Sequence, residues 1–450
     1  MKKLILLLLF IPLVFSCSSS NEDTASNKYT LTTTANPSDG GKVFPVTKQY
    51  NEGETATINA NPATEYVFQS WSGASGSSST ASVVMNSDKS VTANFVKKKY
   101  ALTTSVEGEG TITEKVIKTG AVSDYNSGTL VELTATAKTG WKFKEWTGDL
   151  TGTDNPKEIT INKAKTVKAV FESIPPFYLD DNGVTVKARE WVTAGLTGQL
   201  NGVTYTSVDR DMLISKLSSG EDVSKVVTTL VNSTEGMFMR AHSFNQDISN
   251  WDVSNVTNMK NMFRSARSFN KPIGNWNTSA VTTMDMMFSD ATVFNQDIGN
   301  WDVSNVTNMA EMFGSWFFGE SSQGKDATGG ITIAFNKDIS NWDVSNVTNM
   351  TGMFCAAKSF NQDISNWNVE KVDNMGGMFM YSNSFNKNIS TWKTGNVMEM
   401  RNMFAHTTKF DINLTNWNTS NVKWCTNFNY KSNMSDSNLP NFPATSDCND

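Results

Sequence analysis

The chain has 450 residues, too many for one hydrophobic core to organise, so several domains are expected. Its formal charge is −6 and only 18% of its residues are charged, which leaves no basic surface to track a phosphate backbone and argues against a nucleic-acid partner. The four cysteines, at 17, 355, 425 and 448, form no CxxC pair, so neither a zinc knuckle nor a thioredoxin-like site is expected.

The chain opens with Met1, Lys2 and Lys3, and an apolar run from Leu4 to Phe15 follows, broken only by Pro12. A basic start, a short apolar core and the small Ser16 before a cut read as a signal peptide over 1–16. About a dozen apolar residues are too few to span a bilayer. The run Val14 to Cys17 resembles a bacterial lipobox, although Phe15 departs from the small residue usual there. That resemblance implies that Cys17 is lipidated and that the membrane is a partner through the anchor. Each buried methylene would contribute about 0.8 kcal/mol, and two or more chains hold firmly. Cleavage would remove Lys2 and Lys3 and take the formal charge from −6 to −8. The polar tether 17–27 carries Glu22 and Asp23 and resembles the acidic export signal of bacterial surface lipoproteins, which implies the outer membrane, exposed at the cell surface.

Two imperfect copies come next. Tyr29 to Thr33 aligns with Tyr100 to Thr104, Glu65 to Gly73 with Gly140 to Gly148, and Ser90 to Phe95 with Thr166 to Phe171. Each piece alternates apolar and polar residues, the period of a strand, and glycines punctuate the hairpins. Two small all-β modules are predicted, over 28–97 and 98–173. Trp71 and Trp146 are read as core residues alongside Phe68 and Phe143. The copies resemble divergent internalin-B-type B repeats, which implies spacer modules. Pro175 and Pro176 favour extended chain, so 174–183 is read as a linker.

The remainder repeats. Its tryptophans are Trp251, Trp276, Trp301, Trp342, Trp367, Trp392 and Trp417, with every gap 25 except one of 41, which holds an insertion near 314–334. Phenylalanines at 244, 269, 294, 335, 360, 385 and 410 keep the same count, as do methionines at 259, 284, 309, 350, 375 and 400. Within one unit, Ile248 to Val253 reads as a short strand with Trp251 and Val253 inward and Asp252 outward. Val256, Met259, Met262, Phe263 and Ala266 are spaced as one helical face. Asn270 and its equivalents sit in a turn, where stacked copies would make a ladder. Such a unit cannot bury its own apolar face, so the units must stack. An α/β solenoid is predicted, with short parallel strands, helical turns and the seven tryptophans as structural core. Residues 184–222 would form its N-terminal cap, 223–430 the repeats and 431–450 the C-terminal cap or tail. Cys425 and Cys448 would close the last turn with a disulfide, leaving Cys355 a free buried thiol.

The unit from Phe294 to Met309 fits the repeat of the BspA-type leucine-rich-repeat surface proteins, and the resemblance runs from about Gly183 to Tyr430. It implies a leucine-rich-repeat-like solenoid that presents a surface for adhesion, to a host or bacterial surface protein or glycan. Relatives carry cysteines near Ala188 and Val227, and both are absent here. The expected ligand face is the outward strip Asp252, Asn277, Asp302, Asp343, Asn368, Lys393 and Asn418. A contact loop is expected at Trp316, Phe317 and Phe318, adjacent aromatics that are costly to leave in water. Aspartates at 247, 297, 338 and 363 recur by repeat, as architecture does. His242 and His406 have no recurring partner, and neither G-x-S-x-G nor H-E-x-x-H occurs. No enzyme, metal or cofactor is therefore expected. The alternatives are a structural envelope scaffold without a dedicated ligand and, last, a polysaccharide-acting enzyme.

Overall fold

The computed structural model describes residues 26–118, 124–315 and 332–448. The signal peptide, Cys17, and the expected contact loop Trp316, Phe317 and Phe318 lie outside the described residues. The chain divides into two compact units after Ser173.

The first unit holds two copies of one topology. In the first copy β1 (Lys28–Asn36), β3 (Thr47–Asn51), β5 (Tyr66–Ser72) and β7 (Lys89–Lys97) form a sheet in the order β3-β1-β7-β5. In it β1 and β7 run parallel. Strands β2 (Gly41–Phe44), β4 (Thr55–Pro62) and β6 (Thr80–Val84) form a second sheet centred on β4. The second copy repeats this with β8 (Lys99–Glu107), β10 (Asp124–Asn126), β12 (Trp141–Gly148) and β14 (Lys165–Ser173) in the order β10-β8-β14-β12. Its second sheet is β9 (Gly110–Lys118), β11 (Thr129–Ala137) and β13 (Lys157–Ile161), centred on β11. Alternate residues Val91, Ala93 and Phe95 of β7, and Val167, Ala169 and Phe171 of β14, fill the two cores.

Strict alternation would put Phe68 and Trp71, three residues apart, on opposite faces. A β-bulge between Phe68 and Ser70, and its copy between Phe143 and Glu145, inserts one residue and turns both rings to the same side. The Phe68–Trp71 and Phe143–Trp146 ring pairs then pack at 5.2 Å. Each indole N–H finds a carbonyl, Trp71 Nε1 donating to Ser78 and Trp146 Nε1 to Asp154, both at 2.9 Å. The glycine two residues after each tryptophan is left-handed (φ 89° and 94°), and a Cβ there would overlap the carbonyl oxygen of Ser90 or Thr166.

The second unit begins with a cap. The hairpin β15 (Phe177–Leu179) and β16 (Val186–Ala188) and the sheet β17 (Thr197–Leu200), β18 (Val203–Ser207), β19 (Val226–Val227) enclose Phe177, Val186, Val192 and Val227. Helix α1 (Arg210–Ser218) lies between β18 and β19 in the chain, and the Asp209 carboxylate caps it by accepting from the Met212 N–H at 2.9 Å. Where relatives were expected to carry cysteines, Ala188 and Val227 are buried, and the Ala188 N–H donates to Thr229 Oγ1 at 3.0 Å.

The repeats correct the expected leucine-rich-repeat-like α/β solenoid. Among the described residues α1 is the one α-helix, and it precedes the repeats; beyond β19 the described residues of the repeats hold neither a helix nor a strand. What each repeat contributes in the parallel direction is a single bridged residue: Ser233, Asn258, Thr283, Asn308, Asn349, Asn374, Glu399 and Trp424. The expected strand Ile248 to Val253 is broken by turns, with Trp251 N–H donating to Ile248 O at 3.1 Å and Val256 N–H to Val253 O at 2.8 Å. The expected helix fails because Asn261 and Ser265 are left-handed, at φ 56° and 58°. A right-handed helix cannot pass through either. The backbone from Met259 to Ala266 instead uses its N–H groups alternately. Those of Met262, Arg264 and Ala266 close local turns onto Met259, Asn261 and Phe263. Those of Met259, Asn261, Phe263 and Ser265 donate to Thr283, Asp285, Met287 and Ser289 of the next repeat at 2.7–3.1 Å.

Side chains complete these turns. Trp251, Trp276, Trp301, Trp342, Trp367, Trp392 and Trp417 do not sit on strands of a solenoid, yet all seven are buried, none more than 4% exposed. Each indole N–H reaches a carbonyl of the preceding turn. Trp276, Trp301 and Trp342 donate through Nε1 to the carbonyl oxygens of Ile248, Ile273 and Ile298, at 3.0–3.2 Å. Trp367, Trp392 and Trp417 donate likewise to Ile339, Ile364 and Ile389, at 3.1–3.2 Å. Phenylalanine rings stack between repeats, as at Phe263–Phe288 (5.4 Å, 5°) and Phe288–Phe313 (5.7 Å, 1°). Asparagines form a ladder in which the N–H groups of Asn270, Asn295, Asn336, Asn361 and Asn386 each donate to the preceding asparagine's Oδ1 at 2.9–3.1 Å. At the far end Cys425 and Cys448 are joined by a disulfide, and Phe442 packs edge-on against Phe428 at 5.0 Å.

Candidate functional site

The outward strip is occupied by the backbone it belongs to. Oδ1 of Asp252, Asn277, Asp302, Asp343, Asn368 and Asn418 each accepts the N–H of the residue two positions on, at 3.0–3.1 Å. These are Asx turns, the local bond that Asp and Asn offer a bending chain. Asp252 is buried, whereas the other five are exposed. The aspartates at 247, 297, 338 and 363 do the same for Ser249, Gly299, Ser340 and Ser365. Hydrogen bonds from Ser340, Ser345 and Ser365 hold the carboxyls of Asp338, Asp343 and Asp363 below the usual carboxylate range.

Lys393 is the exception. It stands where other repeats carry Asp or Asn, and Gly395 stands where most carry Ser, so the Asx turn is lost. Lys393 Nζ pairs instead with Glu370 Oε1 at 2.5 Å, which raises the lysine's pKa. The strip opens here into a shallow polar trough of about 600 Å³, lined by Glu370, Thr391, Lys393, Asn396 and Asn418. Lysine and glycine breaking the repeated pattern were the sequence signal for it. Trp392 also lines the trough but is only 3% exposed, so it offers no aromatic platform. An exposed ion pair and amides can bind polar groups. At the C-terminal end Cys425, Cys448 and Asp447 have ligating atoms within 4.8 Å of one another. The disulfide occupies both sulfurs, and Asp447 Oδ1 accepts from the N–H groups of Cys425 and Thr426 at 2.5 and 3.2 Å.

Cys355 is wholly buried, and burial, with Glu311 and Asp290 nearby, pushes its thiol well above the usual range. Two further buried groups, Asp290 and Ser315, were missed from sequence because their shared repeat position lies off the supposed helical face and Ser315 fell in the expected insertion.

The second unit thus defines a protein of repeated, turn-built units whose polar side chains mainly serve their own backbone. Residues 210–322 and 325–442, more than half of the chain, match the family described as "Mycoplasma protein of unknown function, DUF285", and the chain belongs to it. Residues 31–99 and 100–175 match the divergent InlB B-repeat domain. No curated protein and no solved structure matches the chain. The resemblance to the BspA-type leucine-rich-repeat family is therefore corrected: another family matches, and the described residues of the repeats beyond β19 lack the strands and helices that architecture needs. Adhesion through a leucine-rich-repeat solenoid surface falls with it, because the surface it required is absent from the described residues.

Proposed function

We propose that the chain is a lipid-anchored protein of the bacterial outer membrane, exposed at the cell surface, that performs no covalent chemistry. The observation that carries this reading is the run from Met1 to Cys17: two lysines, an apolar stretch, a small residue and a cysteine positioned for acylation. Membrane attachment rests on that cysteine. Among the described residues no helix is long and apolar enough to cross a membrane. The non-catalytic part draws on the carboxyls. A general acid needs a raised pKa, whereas Asp338, Asp343 and Asp363 are lowered by the turns they cap.

The test is labelling of cells expressing the full chain with a clickable palmitate analogue. The wild type is expected to carry label, to sediment with outer membranes and to be shaved from intact cells by protease. Cys17→Ala is expected to lose the label and leave the membrane fraction. An unlabelled wild type, or label retained after Cys17→Ala, would sink the anchoring reading.

A further inference from the structure

Asp290 is a buried acid that occurs in one repeat only. Asp290 occupies a position filled by Arg240, Ser265, Ser315, Ala356, Tyr381, His406 and Lys431 in the other repeats. A carboxylate recurring in every repeat marks architecture, whereas one that occurs once needs its own explanation. Asp290 and Ser315 are each 1% exposed, and Ser265 is buried too. The backbone at Asp290 is left-handed (φ 58°), and its N–H donates to Gly314 O at 3.2 Å, which brings it against the repeat that carries Ser315. Ser265 Oγ donates to Asp290 Oδ2 at 3.4 Å, the outer limit of a hydrogen bond. Among the described residues Asp290 Oδ1 and Ser315 Oγ have no hydrogen-bond partner. An ionised carboxylate withdrawn from water with one long bond is strongly unfavourable unless a positive charge meets it. Neighbouring chemistry selects the kind of charge. Cys355 stays a thiol at neutral pH, because burial and the acids nearby oppose its ionisation, so it offers no soft ligand.

We propose that the Asp290 carboxylate and the Ser315 hydroxyl, with the Ser265 hydroxyl beside them, form a site for a hard divalent cation, with Ca²⁺ as the probe. The donors are all oxygens, as Ca²⁺ requires. A single carboxylate gives a weak site, with Kd about 10⁻⁴–10⁻³ M, the range of extracellular calcium modules. The site is independent of the anchoring reading and adds a ligand to it.

The experiment is calorimetric titration of the purified full chain with CaCl₂, paired with thermal unfolding in CaCl₂, in EDTA and in NaCl of equal ionic strength. The expected result is one binding event, with a rise in the unfolding midpoint of about 3 °C at ten times Kd. NaCl should give no such rise. Asp290→Asn should abolish both signals, and Ser315→Ala should weaken binding several-fold. The wild-type titration decides the matter even if Asp290→Asn fails to fold. No heat and no shift up to 10 times the upper Kd, about 10 mM, would overturn the site. So would an equal response to NaCl, or a folded Asp290→Asn that binds like the wild type.

Discussion

Each repeat tryptophan both fills volume and donates one hydrogen bond. Trp342 is 3% exposed, and its Nε1 donates to Ile298 O at 3.1 Å. Trp342→Ala is expected to cost about 3–5 kcal/mol by cavity formation. Trp342→Phe keeps much of the ring but leaves the Ile298 carbonyl short of a donor, at about 1–3 kcal/mol. Urea unfolding of both variants checks the order; a Trp342→Phe as stable as the wild type would mean that the indole N–H contributes nothing, and a loss equal to that of Trp342→Ala that the ring's packing contributes nothing. The ring column is legible in the sequence, because its period is 25 on either side of the insertion. Its acceptor is not. The donor and acceptor are 44 residues apart at Trp342 and 28 at Trp301, and only the stacking offset pairs them.

At the level of elements, backbone sign decides. Asn402 is left-handed (φ 55°) and its N–H donates to Thr426 O at 3.1 Å. Asn402→Gly is expected to be nearly neutral, whereas Asn402→Val should cost about 1–2 kcal/mol, since a β-branched side chain resists that region. A helix would show the opposite order, because glycine is the poorer helix former. Chemical denaturation of the pair therefore tests the turn assignment directly. In the second β module, Gly148→Ala places a Cβ on the Thr166 carbonyl oxygen, while a Cβ at Gly53 meets nothing within 4 Å. Gly53→Ala should cost only about 1 kcal/mol, and Gly148→Ala more than twice that. Limited proteolysis with near-UV circular dichroism reads the difference.

For the molecule as a whole, acid is the revealing variable. Asp338, Asp343 and Asp363 titrate below their ordinary range in the folded chain. A carboxyl depressed by folding adds stability above its unfolded pKa of about 3.9, and that stability is lost as pH falls through the folded value. The unfolding midpoint should therefore drop as pH is lowered below about 4. Combining Asp338→Asn, Asp343→Asn and Asp363→Asn keeps the Asx turns, as Asn277 and Asn418 show, and should flatten that acid limb. An unchanged pH profile would remove these carboxyls from the account. At the C-terminal end, Cys448→Ser opens the disulfide and should cost about 2–4 kcal/mol, visible as faster hydrogen exchange in the last repeats.

By itself the sequence determined the period, the insertion that interrupts it, the duplication of the β modules and the columns of aromatic and sulfur side chains. These are properties of spacing, and spacing is written in the chain. Only the tertiary structure decided what backbone carries those columns. Apolar gaps of 3, 3, 1 and 3 suit a helix, but a chain of turns serves them equally when a neighbouring repeat accepts every second N–H. The choice lies in the sign of φ at residues such as Asn261 and Ser265, and in partners a full repeat away. Residue type does not announce that sign, because methionine and glutamate occupy it here at a position that carries glycine in other repeats. The same holds for Asp290: its identity is in the sequence, but its burial beside Ser315 exists only once the repeats are stacked.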